Sequence, residues 1–191
     1  MAECGESVLL RKSRAWRAPA IEDLLRDHRA LIARTVARIC GRGPDLPDVV
    51  QEAAVAVARS MARFRGECLL STWVVSVTAR VALKHARRAR SRPRMVAPLA
   101  GGEAAEEACS EEGPTEALLR REFTRRLEQA LDALTPDHRT AIVLFHMEGL
   151  SLQETAQALG IAVGTVKSRL HFGRRELRRL MGPYLEGESD G

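Results

Sequence analysis

Apolar residues recur every three to four positions wherever this 191-residue sequence shows a regular pattern. Between residues 21 and 39, for example, they fall on one side of a helix with about 3.6 residues per turn. Aromatic residues make up only 4% of the chain, so a core must be built from Leu, Val, Ile and Ala, which favours helices over sandwiches or barrels. Because no stretch alternates apolar and polar residues as a strand does, the sequence predicts an all-α fold.

The spacing and composition also predict how the chain is divided. Helical spacing is lost after residue 90, where Pro, Gly, Ala and Glu dominate, and it returns near Thr115. We therefore expect two small helical domains joined by a flexible linker. The predicted segments are a flexible basic leader (1–18), a first helical domain (19–90), a flexible acidic linker (91–114), a second helical domain (115–182) and a tail (183–191).

Basic charge is concentrated in two blocks. Residues 1–95 hold 19 Lys and Arg against 9 Asp and Glu, and residues 117–182 hold 11 against 7. The intervening residues 96–116 hold six Glu and no Lys or Arg. This distribution suggests two domains that contact a polyanion and a linker that does not. The alternative is codon usage in a GC-rich genome, since 27 of the 30 basic residues are Arg.

Several classes of protein are disfavoured. No apolar run approaches the roughly 20 residues of a membrane-spanning helix, and the first residues do not resemble a secretory signal, so we expect a cytoplasmic protein. The four cysteines are too far apart for a zinc knuckle, and we expect free thiols with no metal and no cofactor. No catalytic constellation has convincing spacing, so we expect neither an enzyme nor a small-molecule substrate.

The most informative stretch is LQETAQALGIAVGTVKSRL, residues 152–170. Ala156 is small where two helices would cross, Gly160 can adopt a left-handed turn, and Val166 continues the apolar face of the following helix. These offsets predict a helix-turn-helix. Its second helix would direct hydroxyl, basic and aromatic side chains outward, which suits base edges and phosphates in a major groove, although a solvated basic helix is the simpler alternative.

A second motif is acidic. Asp48 and Glu52 are four residues apart, so both carboxylates share one face of a predicted helix, with Gln51 beside them. Such a face can pair with Arg on a partner protein. Acidic residues in a first helical turn also complement the helix dipole, and spacing alone does not separate these alternatives.

The order of these and further motifs resembles that of the extracytoplasmic-function sigma factors of the sigma-70 family. The resemblance covers about residues 20–90 and 115–181 and includes DVVQE (48–52), FRGE (64–67), STW (71–73), KHARR (84–88) and the helix-turn-helix. It implies a transcription initiation factor with two conserved regions. The competing hypotheses are a dimeric helix-turn-helix regulator that never joins the polymerase, and a helical enzyme or RNA-binding module.

The resemblance also implies roles for individual residues. Core RNA polymerase would be bound by Asp48, Gln51 and Glu52. The melted −10 strand would be held by Arg65, Gly66 and Glu67, which match a base-capturing loop, and by Lys84, Arg87 and Arg88. The double-stranded −35 promoter element would be read by Thr165, Lys167, Ser168, Arg169, His171, Phe172, Arg174 and Arg175. An anti-sigma factor is a further expected partner.

Overall fold

A computed structural model describes residues 21–41, 43–91 and 114–186, and the regular secondary structure of these ranges is entirely helical. The predicted all-α fold is confirmed. The predicted leader, nearly all of the predicted linker and the last five residues of the predicted tail lie outside the described residues.

The first half contains three long helices: α1 (Ile21–Cys40), α2 (Leu46–Ser60) and α3 (Leu70–Ser91), with a 3-10 turn at Met61–Arg63. α1 ends just after the apolar pattern of residues 21–39, because Gly41 takes a positive φ of 77° that other residues rarely adopt. The apolar stripe of α1 is buried against the two other helices through Leu24, Ile32, Val36 and Ile39. Val49, Ala53 and Val57 supply the corresponding face of α2.

The second half contains α4 (Pro114–Ala133), α5 (Pro136–Ile142), a π-helical turn (Val143–Met147), α6 (Leu152–Leu159) and α7 (Val163–Glu186). The starts of α5 and α6 are marked by capping hydrogen bonds. The hydroxyl of Thr135 accepts the His138 backbone N–H at 3.3 Å. Ser151 and Glu154 cap each other's backbone N–H groups, at 3.2 and 2.9 Å.

Two features of the second half differ from the sequence-based expectation. α7 continues to Glu186, into the segment predicted as a tail. The helical spacing that returns near Thr115 gives α4 an apolar face, but this face is buried only towards its end, at Leu131, whereas Leu118, Leu119 and Phe123 stay 67%, 50% and 39% exposed. Helical spacing places these residues on one face, but it does not say how far the partner helices extend along that face.

The two halves share a buried core. Val143, Leu144, Leu150 and Ala158 of the second half belong to the same apolar cluster as α1, α2 and α3. A separate cluster joins α4, α5, α6 and α7, so each half also has apolar contacts of its own. The acidic side chain of Glu148, only 4% exposed, is part of the shared surface.

Candidate nucleic-acid interface

The helix-turn-helix predicted over residues 152–170 is formed by α6, a tight turn and the start of α7. Gly160 lies in the left-handed region at φ 65° and ψ 37°, as its position in the turn requires. The N–H of Ile161 donates to the Ala156 carbonyl at 3.1 Å, which closes the turn. Ala156 and Val166 are both buried in the second-half core, so the two helices cross where the small side chain allows it.

Most predicted −35 residues are exposed along α7: Thr165, Lys167, Ser168, His171, Phe172, Arg174 and Arg175. On the opposite side, Val166, Leu170 and Gly173 are buried against the core. A Cβ at Gly173 would lie 2.9 Å from Cγ1 of Ile142, which explains a glycine in mid-helix. The close approach of α5 and α7 therefore depends on this residue.

Arg169 is the exception, since the sequence predicted that it faces outward. Its side chain is only 19% exposed, and Nη2 lies 2.9 Å from Oδ1 of Asp137 on α5. Nη1 of Arg169 is buried without a hydrogen-bond partner in the described part of the chain. The carboxylate of Asp137 thus draws this guanidinium away from the outer face, a contact that local sequence spacing could not predict.

Two other residues of the outer face are positioned by neighbouring side chains. Nε–H of Arg174 donates to Nε2 of His146 at 2.9 Å, and its guanidinium carbon lies 5.7 Å from the Phe145 ring centroid. Burial, together with the positive charge of Arg174, lowers the pKa of His146, which favours the neutral imidazole that can accept this bond. Phe172 is 49% exposed, and its ring is stacked beside that of His138, with centroids 6.1 Å apart.

The predicted −10 loop precedes α3. Gly66 turns the chain with φ of 72°, and the rings of Phe64 and Trp73 pack with centroids 5.2 Å apart below it. Arg65 and Glu67 are exposed on the loop and line a cavity of about 530 Å³. The structure therefore brings these loop residues together around a concave site.

The same cavity has basic and acidic walls that sequence reasoning missed. Arg63 and Arg80 add positive charge beside the loop, and Arg80 lies one helical turn before Lys84 on α3. Glu154 and Gln157 of α6 line the same cavity. The helical spacing of Arg80 to Lys84 was a readable signal, whereas the approach of α6 was not.

The basic end of α3 carries the remaining predicted −10 residues. Lys84, Arg87 and Arg88 are positioned within about one turn of each other, and all three are exposed. Arg87 makes a two-point contact with Asp137, with Nη2 2.5 Å from Oδ1 and Nε 3.3 Å from Oδ2. A predicted −10 residue and a predicted −35 residue thus share one carboxylate.

The predicted polymerase-binding residues lie together on α2. Asp48, Gln51 and Glu52 are all exposed. Glu52 has a neighbour on α3, since its Oε2 lies 3.4 Å from Nε2 of His85. Asp45 occupies the N-cap position of this helix, but its side chain makes no capping hydrogen bond. The three predicted residues therefore form an exposed polar surface on α2, in which Glu52 lies beside His85.

The described residues contain no candidate metal-binding group and no helix that could span a membrane. Within residues 21–41, 43–91 and 114–186, no three His, Cys, Asp or Glu side chains are grouped to hold a metal ion. Burial raises the pKa of the Cys40 thiol to about 11, which disfavours the thiolate that metals bind. No helix within those ranges has the length and apolar character needed to cross a bilayer.

Each half of the chain matches the model of a known protein family. Residues 24–92 match the model of sigma-70 region 2, and residues 124–177 match that of sigma-70 region 4. The chain belongs to the sigma-70 family. The two matched regions correspond to α1–α3 and to α4–α7, so the family division coincides with the two halves of the structure.

Individual relatives agree with this assignment. The chain is 34% identical over 122 residues to the ECF RNA polymerase sigma factor SigM of Mycobacterium tuberculosis, covering 64% of this chain and 56% of SigM. It is 31% identical over 113 residues to SigW of Bacillus subtilis, covering 57% of this chain and 60% of SigW. The matched part thus spans little more than half the length of these relatives.

Two solved structures share the fold. One is the sigma factor RpoE in complex with the anti-sigma factor NepR from Bartonella quintana, at a TM-score of 0.62 and 19% identity, covering 84% of this chain and 96% of that one. The other is CnrH in complex with the cytosolic domain of CnrY, at a TM-score of 0.55 and 21% identity, covering 90% and 89%.

Proposed function

We propose that this protein is an RNA polymerase sigma factor of the extracytoplasmic-function type. It binds core polymerase, directs it to promoters through −10 and −35 elements and assists initiation without catalysing a reaction itself. The observation that carries the proposal is the presence of sigma-70 regions 2 and 4 in one chain, in that order. A regulator that never joins the polymerase has no need of region 2.

The −35 duplex is assigned to α7. Its exposed face offers hydroxyl groups at Thr165 and Ser168 and positive charge at Lys167 and Arg175, a combination that suits base edges and phosphates. The helix is held rigidly by the buried crossing with α6, which fixes its orientation on the groove.

The melted −10 strand is assigned to the loop before α3 and to the basic stripe behind it. The cavity beside Trp73 can accept an unstacked base, with Arg65 and Glu67 placed to hydrogen-bond its edge. Lys84 and Arg88 continue the positive surface along α3 for the strand's phosphates.

Protein partners complete the proposal. The acidic face of α2, formed by Asp48, Gln51 and Glu52, is assigned to core polymerase because its carboxylates are exposed and suit basic residues on a partner. An anti-sigma factor is the second proposed partner, since both structural neighbours were solved with one or with a cytosolic partner domain. The proposed location is the cytoplasm.

Run-off transcription tests this function. Purified core polymerase is supplied with a promoter library, with and without the protein, and we expect transcripts from a subset of promoters only when the protein is present. The variant Asp48→Arg should reduce transcript yield, whereas Glu22→Arg, which changes an exposed acid in the first turn of α1, should not. Promoter binding by the isolated protein without any core-dependent transcription would instead indicate a regulator.

A further inference from the structure

Asp137 connects the two halves at their predicted DNA surfaces. It lies in the first turn of α5 and contacts Arg87 of α3 at 2.5 Å and Arg169 of α7 at 2.9 Å, both through Oδ1. Oδ2 accepts a second hydrogen bond from Nε of Arg87 at 3.3 Å. One carboxylate therefore occupies a guanidinium from each of the surfaces that we assign to promoter DNA.

The environment of Asp137 keeps it charged. Burial raises the pKa of its carboxyl, but the hydrogen bond from Arg87 and the positive charges of Arg169 and Arg87 together hold that pKa below its ordinary value. An ionised carboxylate between two guanidinium groups has the charge and the acceptor oxygens that a DNA phosphate would offer them.

Other residues of the second half lie beside the −10 loop or contact α1. Glu154 and Gln157 of α6 line the cavity of the −10 loop together with Arg65 and Glu67. Glu148 lies between Arg38 at 3.1 Å and Arg34 at 3.9 Å. The shared apolar core and the pair of Arg87 with Asp137 hold the second half against α3, where the melted strand would run.

We propose that this closed arrangement is a resting state, in which Asp137 takes the place of DNA phosphate on Arg87 and Arg169 and must be displaced when DNA binds. This inference rests on the proposed function, because the family resemblance implies a −10 contact for Arg87 and a −35 contact for Arg169. It further explains why the side chain of Arg169 is turned towards Asp137 and away from the outer face of α7.

Neutralising Asp137 tests the proposal without polymerase. Asp137→Asn should bind a short fluorescent duplex of mixed sequence about fivefold more tightly than wild type at low salt, because two guanidinium groups are released. The matched control is Glu176→Gln, which changes net charge equally within the second half but breaks only an ion pair inside α7, with Arg179. Fluorescence anisotropy measures both affinities.

A second comparison separates competition by Asp137 from a general change of charge. In a background carrying Arg87→Gln and Arg169→Gln, neither of the two guanidinium groups remains for Asp137 to occupy, so Asp137→Asn should give no more tightening than Glu176→Gln. Urea unfolding of each variant checks that it is folded, and Asp137→Ser provides a second neutral residue suited to a first helical turn.

The proposal is overturned if Asp137→Asn and Glu176→Gln change the affinity equally in the otherwise wild-type chain, or if the extra gain persists in the Gln background. Neither result bears on whether the protein supports promoter-specific transcription, because no polymerase and no promoter sequence is present. The resting-state proposal can therefore fail while the proposed function stands.

Discussion

Replacing Gly160 by Ala tests whether the helix-turn-helix depends on a left-handed residue at its turn. At φ 65° an added Cβ meets no atom within 4 Å, so the cost is conformational and not steric. A left-handed non-glycine residue costs about 1–2 kcal/mol, and we expect the free energy of unfolding to fall by about that amount. For a chain of this size the midpoint of thermal unfolding should fall by about 2–8 °C.

Gly164 is the matched control. It lies in the first turn of α7, where an added Cβ again meets no atom within 4 Å, but its φ is not in the left-handed region. Ala is favoured over Gly in a helix by up to about 1 kcal/mol, so Gly164→Ala should raise the unfolding free energy slightly. Thermal unfolding followed by circular dichroism measures both. An unchanged midpoint for Gly160→Ala, or equal losses in the two variants, would refute this reasoning.

Three further predictions concern binding and domain organisation. Asp48→Arg should weaken capture of core polymerase in a pull-down while Glu22→Arg does not, and equal capture would remove α2 from the proposed interface. Phe172→Ala should alter base preference at one or two −35 positions by about 1–3 kcal/mol per base, and a selectivity profile parallel to that of wild type would exclude Phe172 from base reading. Arg175→Ala should instead weaken binding to all duplexes alike and lower the salt slope by about 1. Limited proteolysis should cut first within residues 91–114, and early cleavage inside a helix would contradict the predicted linker.

The local structure was largely readable from the sequence, because its determinants are local. The cap at Thr135, the reciprocal cap of Ser151 and Glu154, and the left-handed turn at Gly160 each depend on residues within four positions of one another. The buried faces of α1 and α7 followed from helical spacing for the same reason. The exposed start of α4 did not, since its burial depends on where other helices end.

The relation between the two halves could not be read from spacing. Glu148 and Asp137 look like ordinary surface acids in the sequence, and their partners Arg38 and Arg87 lie 110 and 50 positions away. Both ion pairs nevertheless join the two regions in the same sense, because each acid belongs to region 4 and each arginine to region 2. Charges that appear in the sequence as two basic blocks suited to DNA are therefore partly neutralised within the protein. If the proposed resting state holds, the affinity of this chain for DNA depends on the free energy of separating its halves as well as on the number of its arginines.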